Sequence, residues 1–193
     1  MFDTESFAKP MAGRLPGRFV VCATVIGRAQ SGAPATIRCY ELTDGRLTDQ
    51  QLDAWRRRIR AKEQTYVFTP CNSGGFARAL GRRAGTIVIT SCTVEEKNAA
   101  GFAEAIRDAL NHAPNSDRDG NGRVSIGEAY NFAIVSVRRW YEERNRPLTE
   151  HCQIEDNGDG QSGHGLLPTS KHGGLALQRF LDEPTIPKTG GEK

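Results

Sequence analysis

Thr65-Tyr66-Val67-Phe68-Thr69-Pro70-Cys71-Asn72-Ser73-Gly74-Gly75-Phe76 is an apolar run stopped by proline, followed by a lone thiol and two glycines. Tyr, Val, Phe and Thr favour a buried strand, and Pro70 ends its ladder because it lacks an N–H. Asn72 and Ser73 are turn and N-cap types, and Phe76 to Leu80 reads as the first turns of a helix. Cys71 therefore falls where a strand hands over to a helix. At the carboxyl end of a sheet strand, beside helix N-terminal N–H groups, a thiol is accessible and its thiolate is favoured. The alternative is a buried structural cysteine.

Outward from this stretch, buried strands and amphipathic helices alternate. Phe19 to Ile26 is a continuous apolar run of strand length, as is Thr86 to Thr90, and both suit parallel strands covered on two faces. Thr36 to Leu42 alternates weakly, and Asp44-Gly45 marks a turn. Thr48 is placed to cap a helix with Gln51 in the capping-box position, and Leu52, Trp55 and Ile59 form its apolar stripe. Phe102, Ile106, Ala109 and Leu110 share one helical face. A second helix carries Ala129, Phe132, Ala133 and Trp140, flanked by Tyr130, Ile134, Val137 and Tyr141, and ends near Asn145. Gly173 to Leu181 reads as a last short helix. The order predicts an α/β fold: a three-layer sandwich with a mostly parallel sheet. One domain spans 19–182, with a loose lead-in at 1–18 and a disordered tail at 183–193.

Composition narrows the function classes. A chain of 193 residues, 37% hydrophobic and 25% charged, is long enough for one sizeable core. A net charge of +3 with scattered Lys and Arg gives no nucleic-acid footprint; the basic runs Arg56-Arg57-Arg58 and Arg82-Arg83 have no interleaved aromatics. No apolar run reaches a membrane span and Met1 to Gly17 is no signal peptide, so a cytoplasmic location is expected. The cysteines at 22, 39, 71, 92 and 152 have no paired spacing, so neither a disulfide framework nor a zinc site is indicated.

The second informative stretch is Asp117-Arg118-Asp119-Gly120-Asn121-Gly122-Arg123-Val124-Ser125-Ile126-Gly127-Glu128. With Asp117 as position 1, oxygen side chains fall at positions 1, 3, 5 and 9, glycine at 6 and glutamate at 12. This is the requirement of an EF-hand Ca²⁺ loop between two helices. Asp117, Asp119, Asn121, Ser125 and Glu128 would hold the ion through side chains and Arg123 through its carbonyl, with Gly122 at the sharp turn. The alternative is an Asp/Gly-rich turn capped by Glu128 at a helix start. A single loop lacks a paired partner, which sets an expected dissociation constant on the order of 10⁻⁵ to 10⁻³ M.

The Cys71 turn resembles the nucleophile turn of the caspase-like cysteine peptidases, closest to the legumain-type branch and its bacterial relatives, where an apolar strand ends in Cys-x-Ser-Gly-Gly-Phe. The likeness extends upstream over Tyr40 to Thr48, downstream over Gly85 to Cys92, and in all from about Phe19 to Leu181. It implies a peptide or protein substrate, Cys71 as nucleophile, and the N–H groups of Cys71 and Gly27 as oxyanion donors. It also implies that Ser91 either lines the primary specificity pocket or merely caps the helix that follows.

The sequence departs from the family pattern at the general base. Where a histidine precedes glycine at the end of the neighbouring strand, this chain has Ile26 before Gly27, near the caspase spacing of roughly 50 residues before the cysteine. His164 and His172, each before a glycine, read as surface-loop residues. The first strands expected of the family are also missing, which predicts a truncated or catalytically dead relative. His151 to Gly160 resembles a stretch after the same helix in the bacterial relatives. Read as a loop from Glu155 it lacks a carboxylate at position 12, where Leu166 stands, so it reads as a solvated turn. Two function classes remain: an impaired peptidase domain with a calcium loop, and a calcium-binding regulatory or structural module without chemistry.

Overall fold

The computed structural model describes the backbone of residues 18–23, 39–42, 45–59, 61–97 and 101–181, with side chains from position 48 onward. The elements are β1 (Arg18–Ala23), β2 (Cys39–Leu42), β3 (Gly45–Thr48), α1 (Asp49–Arg58), β4 (Glu63–Phe68), α2 (Gly74–Leu80), β5 (Thr86–Thr90), α3 (Phe102–Leu110), α4 (Ile126–Glu143), β6 (Gln153–Glu155), β7 (Gly163–His164) and a 3₁₀ turn, Ala176–Gln178. The fold is mixed α/β. Residues 1–17 and the tail beyond Leu181, together with Ile26 and Gly27, lie outside the described residues, while Arg18, read as the end of the lead-in, already belongs to β1.

Five strands form one sheet in the order β1-β4-β5-β6-β7. β1, β4 and β5 run parallel, as their unbroken apolar runs predict, but β6 and β7 pair antiparallel, so the sheet is mixed rather than mostly parallel. The antiparallel strands are only three and two residues long and sit in a stretch rich in Asp, Asn and Gly, where no period of two can show. β2 and β3 form a separate hairpin, so Leu47 and Thr48 end a strand before the helix begins. Thr48 nevertheless caps α1 as its sequence predicts: its Oγ1 accepts the Gln51 N–H at 3.1 Å and the Gln51 side chain accepts the Thr48 N–H at 2.8 Å.

Alternation along β4 divides the core into two. Tyr66, Phe68 and Val88 pack with Leu52, Phe76, Ala77 and Leu80 of α1 and α2. Val67, Ile87, Ile89 and Ile154 pack with α3 and α4 through Phe102, Ile106, Ala129, Tyr130, Ala133 and Val137. Helices therefore cover both faces of the sheet, and the side-chain period of two in β4 makes the separation. The Phe68 and Phe76 rings stack with centroids 5.0 Å apart, which ties α2 to the strand that precedes it. On the other face the Tyr130 hydroxyl donates to the Cys152 carbonyl at 3.0 Å, fixing α4 against the approach to β6. The buried Glu150 carboxylate accepts the Gly101 and Phe102 N–H groups at the start of α3.

Leu80 is fully buried where α2 meets the sheet. Leu80→Ala should cost about 3 kcal/mol of unfolding free energy by leaving a cavity in that layer. Chemical denaturation showing a loss under about 1 kcal/mol would mean that α2 is not packed as described.

Candidate functional site

Cys71 opens the turn after β4, where the sequence predicts a strand-to-helix handover. Asn72 adopts a left-handed conformation (φ 57°), which Asn tolerates better than most residues. Its N–H donates to the Glu96 carbonyl at 2.8 Å and its side-chain amide to the Val94 carbonyl at 2.7 Å. Gly74 lies so close to the 93–94 backbone that a Cβ would come within 2.9 Å of it, so the first glycine of the motif is required by close approach. Cys71 is half-buried, while Cys92 and Cys152 are buried. Burial also pushes the Cys152 thiol well above its ordinary range, with the nearby Glu150 charge adding to the effect.

Beneath this turn lies a small buried polar cluster. Ser73 caps nothing with its side chain; its Oγ sits 3.2 Å from Ser91 Oγ and 3.6 Å from Cys92 Sγ. Ser91 Oγ donates to the Pro70 carbonyl at 3.1 Å. Ser91 thus faces inward, fully buried, and braces the Cys71 turn instead of presenting its hydroxyl at a pocket wall.

Ile26, which stands at the family's general-base position, lies outside the described residues. Ala23 stands opposite Phe68 in the β1–β4 ladder, and the same offset separates Ile26 from Cys71. His172 is not a surface-loop residue: it is buried, with Nδ1 3.3 Å from Asp156 Oδ1. His164 is exposed on β7. Sequence reasoning missed His151, whose Nδ1 meets the Glu96 carboxylate and whose N–H donates to Glu96 Oε2 at 2.9 Å. Burial works to raise the Glu96 pKa, but the His151 and Thr93 hydrogen bonds hold it below the usual range. That contact joins residues far apart in sequence, and no local pattern announces it. A polar cleft of about 590 Å³ between α1 and α2 begins at Gly74 and Gly75 and is lined by Asp49, Asp53, Arg56, Arg57, Arg78 and Arg82 among others.

The 117–128 loop converges three carboxylates. One oxygen each from Asp117, Asp119 and Glu128 lies within 4.8 Å of the others. Asp117 Oδ1 accepts the Gly120 N–H at 2.9 Å and Oδ2 the Gly122 N–H at 2.8 Å. Asp119 accepts the Asn121 N–H at 3.0 Å and Asn121 the Arg123 N–H at 2.9 Å, so positions 3, 5 and 7 are linked in a ladder. Gly122 takes φ 81°, the left-handed conformation that position 6 demands. Helix α4 starts at Ile126, inside the last positions of the loop, whereas α3 ends at Leu110; the expected incoming helix is replaced by residues 111–116.

Glu128 does two things. Its Oε2 accepts from Ser125 N–H at 2.8 Å and Ser125 Oγ at 2.7 Å, completing a capping box on α4, while Oε1 accepts the Arg118 N–H at 2.9 Å and the Asp119 N–H at 3.2 Å. Burial works to raise its pKa, but the Ser125, Arg118 and Asp119 donors prevail and hold the carboxyl below its ordinary range. All the donors gathered here are oxygens, three of them anionic, which fits a hard divalent cation and not a thiophilic one.

The stretch from Glu155 repeats this pattern in a turn whose Asn157, Asp159 and Gln161 are exposed, as the sequence predicts, while Glu155 and Asp156 at its start are buried. Asn157 accepts the Asp159 N–H at 2.9 Å and Asp159 the Gln161 N–H at 2.6 Å, the same ladder at positions 3, 5 and 7. Gly158 and Gly160 have φ 87° and 75°, against 72° and 81° for Gly120 and Gly122. Glu155, however, is fully buried in β6, and its Oε2 lies against Gly81 with no hydrogen-bond partner among the described residues. Burial raises its pKa despite the Gly158 and Asn157 N–H groups. No family model, characterised protein or solved structure matches the chain.

In chelator, stability should follow Glu128. A carboxylate whose folded pKa is depressed contributes stability that is present above the unfolded value of about 4.3 and is lost as pH falls through the lower folded value. Glu128→Gln should therefore be less stable at pH 7 and show a flatter acid limb in thermal unfolding. An acid limb superimposable on that of the wild type would show that these hydrogen bonds do not favour the ionised form.

Proposed function

We propose that the chain is a calcium-binding domain on the plan of the legumain-type, caspase-like peptidases, with the 117–128 loop as its cation site. The observation that carries this reading is the convergence of the Asp117, Asp119 and Glu128 oxygens within 4.8 Å on a loop that runs directly into α4. Without a cation the three charges repel one another, and a bound Ca²⁺ converts that repulsion to attraction. Asp117, Asp119, Asn121, Ser125 and Glu128 would hold the ion with the Arg123 carbonyl, and the ion would supply charge neutralisation there. Arg179, whose neighbour Phe180 pairs with Ser125, reaches Glu63 at the amino end of β4 at 2.9 Å. Cys71 lies past the opposite, carboxyl end of that strand, whose six residues span roughly 20 Å at about 3.3 Å per residue. Calcium in this reading stabilises the fold and takes no part in chemistry at the thiol.

A second reading, thiol chemistry at Cys71 on a peptide substrate, is favoured by its half-exposed place past the carboxyl end of a central parallel strand; the resemblance would make Gly27, outside the described residues, the second oxyanion donor. Among the described residues no helix is long and apolar enough to cross a membrane.

Calorimetric titration should give one calcium site with a dissociation constant on the order of 10⁻⁵ to 10⁻³ M. At free calcium about a hundred times the dissociation constant the ion should add about 2.7 kcal/mol of stability, and Glu128→Ala should remove most of that gain. No heat at millimolar calcium would leave only a capped turn. For the thiol, labelling at neutral pH should modify Cys71 well before buried Cys92 and Cys152. Equal, slow labelling of all three would remove the second reading.

A further inference from the structure

The cation loop has a strand partner after all. Ser125 forms an isolated antiparallel bridge with Phe180, and the Ile126 N–H donates to the Arg179 carbonyl at 2.7 Å. The Arg123 guanidinium lies 4.0 Å over the Phe180 ring. The C-terminal segment thus grips positions 7, 9 and 10 of the loop, two of which carry ligand atoms in the proposed site. At the next residue, position 11, a Cβ on Gly127 would come within 2.7 Å of Leu177 and within 2.9 Å of its backbone nitrogen, so α4 and the 3₁₀ turn are in close contact. The other end of the segment is held independently. Buried Asp156 accepts N–H groups from Gly173, Leu175 and Ala176 at 2.9 to 3.1 Å, with His172 alongside.

We propose that Arg179 and Phe180 are positioning residues for the 117–128 cation site, so that calcium binding and docking of the 173–181 segment reinforce each other. This rests on the calcium reading above and adds its regulation. The bridge and the ring contact fix the backbone at Arg123 and Ser125 before the ion arrives, which lowers the ordering cost of binding. By linkage, the ion must tighten the segment by the same factor that the segment tightens the ion. Anything that draws the C-terminal segment away therefore weakens calcium binding.

The test is hydrogen exchange by mass spectrometry on the full chain, with calcium and with chelator, alongside calcium titration of two variants. Saturating calcium should slow exchange in peptides covering 173–181 by about tenfold, well away from the loop in sequence. Phe180→Ala, which removes the ring, and Gly127→Ala, which pushes Leu177 away while keeping a good helix former, should each weaken calcium binding about fivefold or more. Exchange in the wild type needs no variant to fold. If the wild type binds calcium while exchange at 173–181 is unchanged and both variants bind within twofold of it, the coupling is overturned and the calcium site stands. If the wild type binds no calcium at millimolar concentration, the site and the coupling fall together.

Discussion

The Glu128 carboxylate is the point on which the loop and the long helix both depend. One oxygen finishes the capping box of α4 and the other gathers the N–H groups of Arg118 and Asp119, so a single side chain closes the loop and starts the helix. α4 in turn supplies much of one core layer, from Ile126 through Tyr141. Helix ends leave unsatisfied donors that must be met locally, and here they are met by the residue that a divalent cation would recruit. In the proposed calcium reading, cation binding and helix capping would draw on the same group, which would make the domain's stability sensitive to what occupies the loop.

The two candidate sites sit at opposite ends of the sheet. Cys71 follows the carboxyl end of β4, held by Asn72 to residues 94 and 96 and braced from below by Ser73, Ser91 and Cys92. The cation loop and the segment that grips it lie at the amino end, where Arg179 meets Glu63. Communication between them would have to run through β4 and the two packed layers, so calcium is expected to act on the thiol only through overall order.

What the sequence made legible follows from how local each signal is. The β4–Cys71–α2 handover and the Thr48 capping box are each encoded within a dozen or so residues and appear in the structure as read, and of the Asp117 loop the structure shows the Gly122 turn and the convergence of Asp117, Asp119 and Glu128. β6 and β7 were not legible, because strands this short are set by their neighbours and not by their own period. Burial of Ser91, of Glu155 and of His172 arises from contacts between distant segments, as does the pairing of Ser125 with Phe180. A polar residue in a turn-rich stretch reads as solvated until the element that covers it is known. The expectation of a helix on each side of the loop failed in the same way: the α3 stripe is real, but its end at Leu110 is decided by the left-handed His112 and Asn115 that follow.

The central claim is that the three carboxylates form one defined cation site and not a patch of surface charge. Its most direct test is a calcium titration followed residue by residue in amide NMR spectra. The amides of 117–128, Gly122 above all through its bond to Asp117, should move together along one saturating curve. Shifts that grow without saturation and scatter over exposed acids such as Glu104, Glu142 and Glu143 would contradict it.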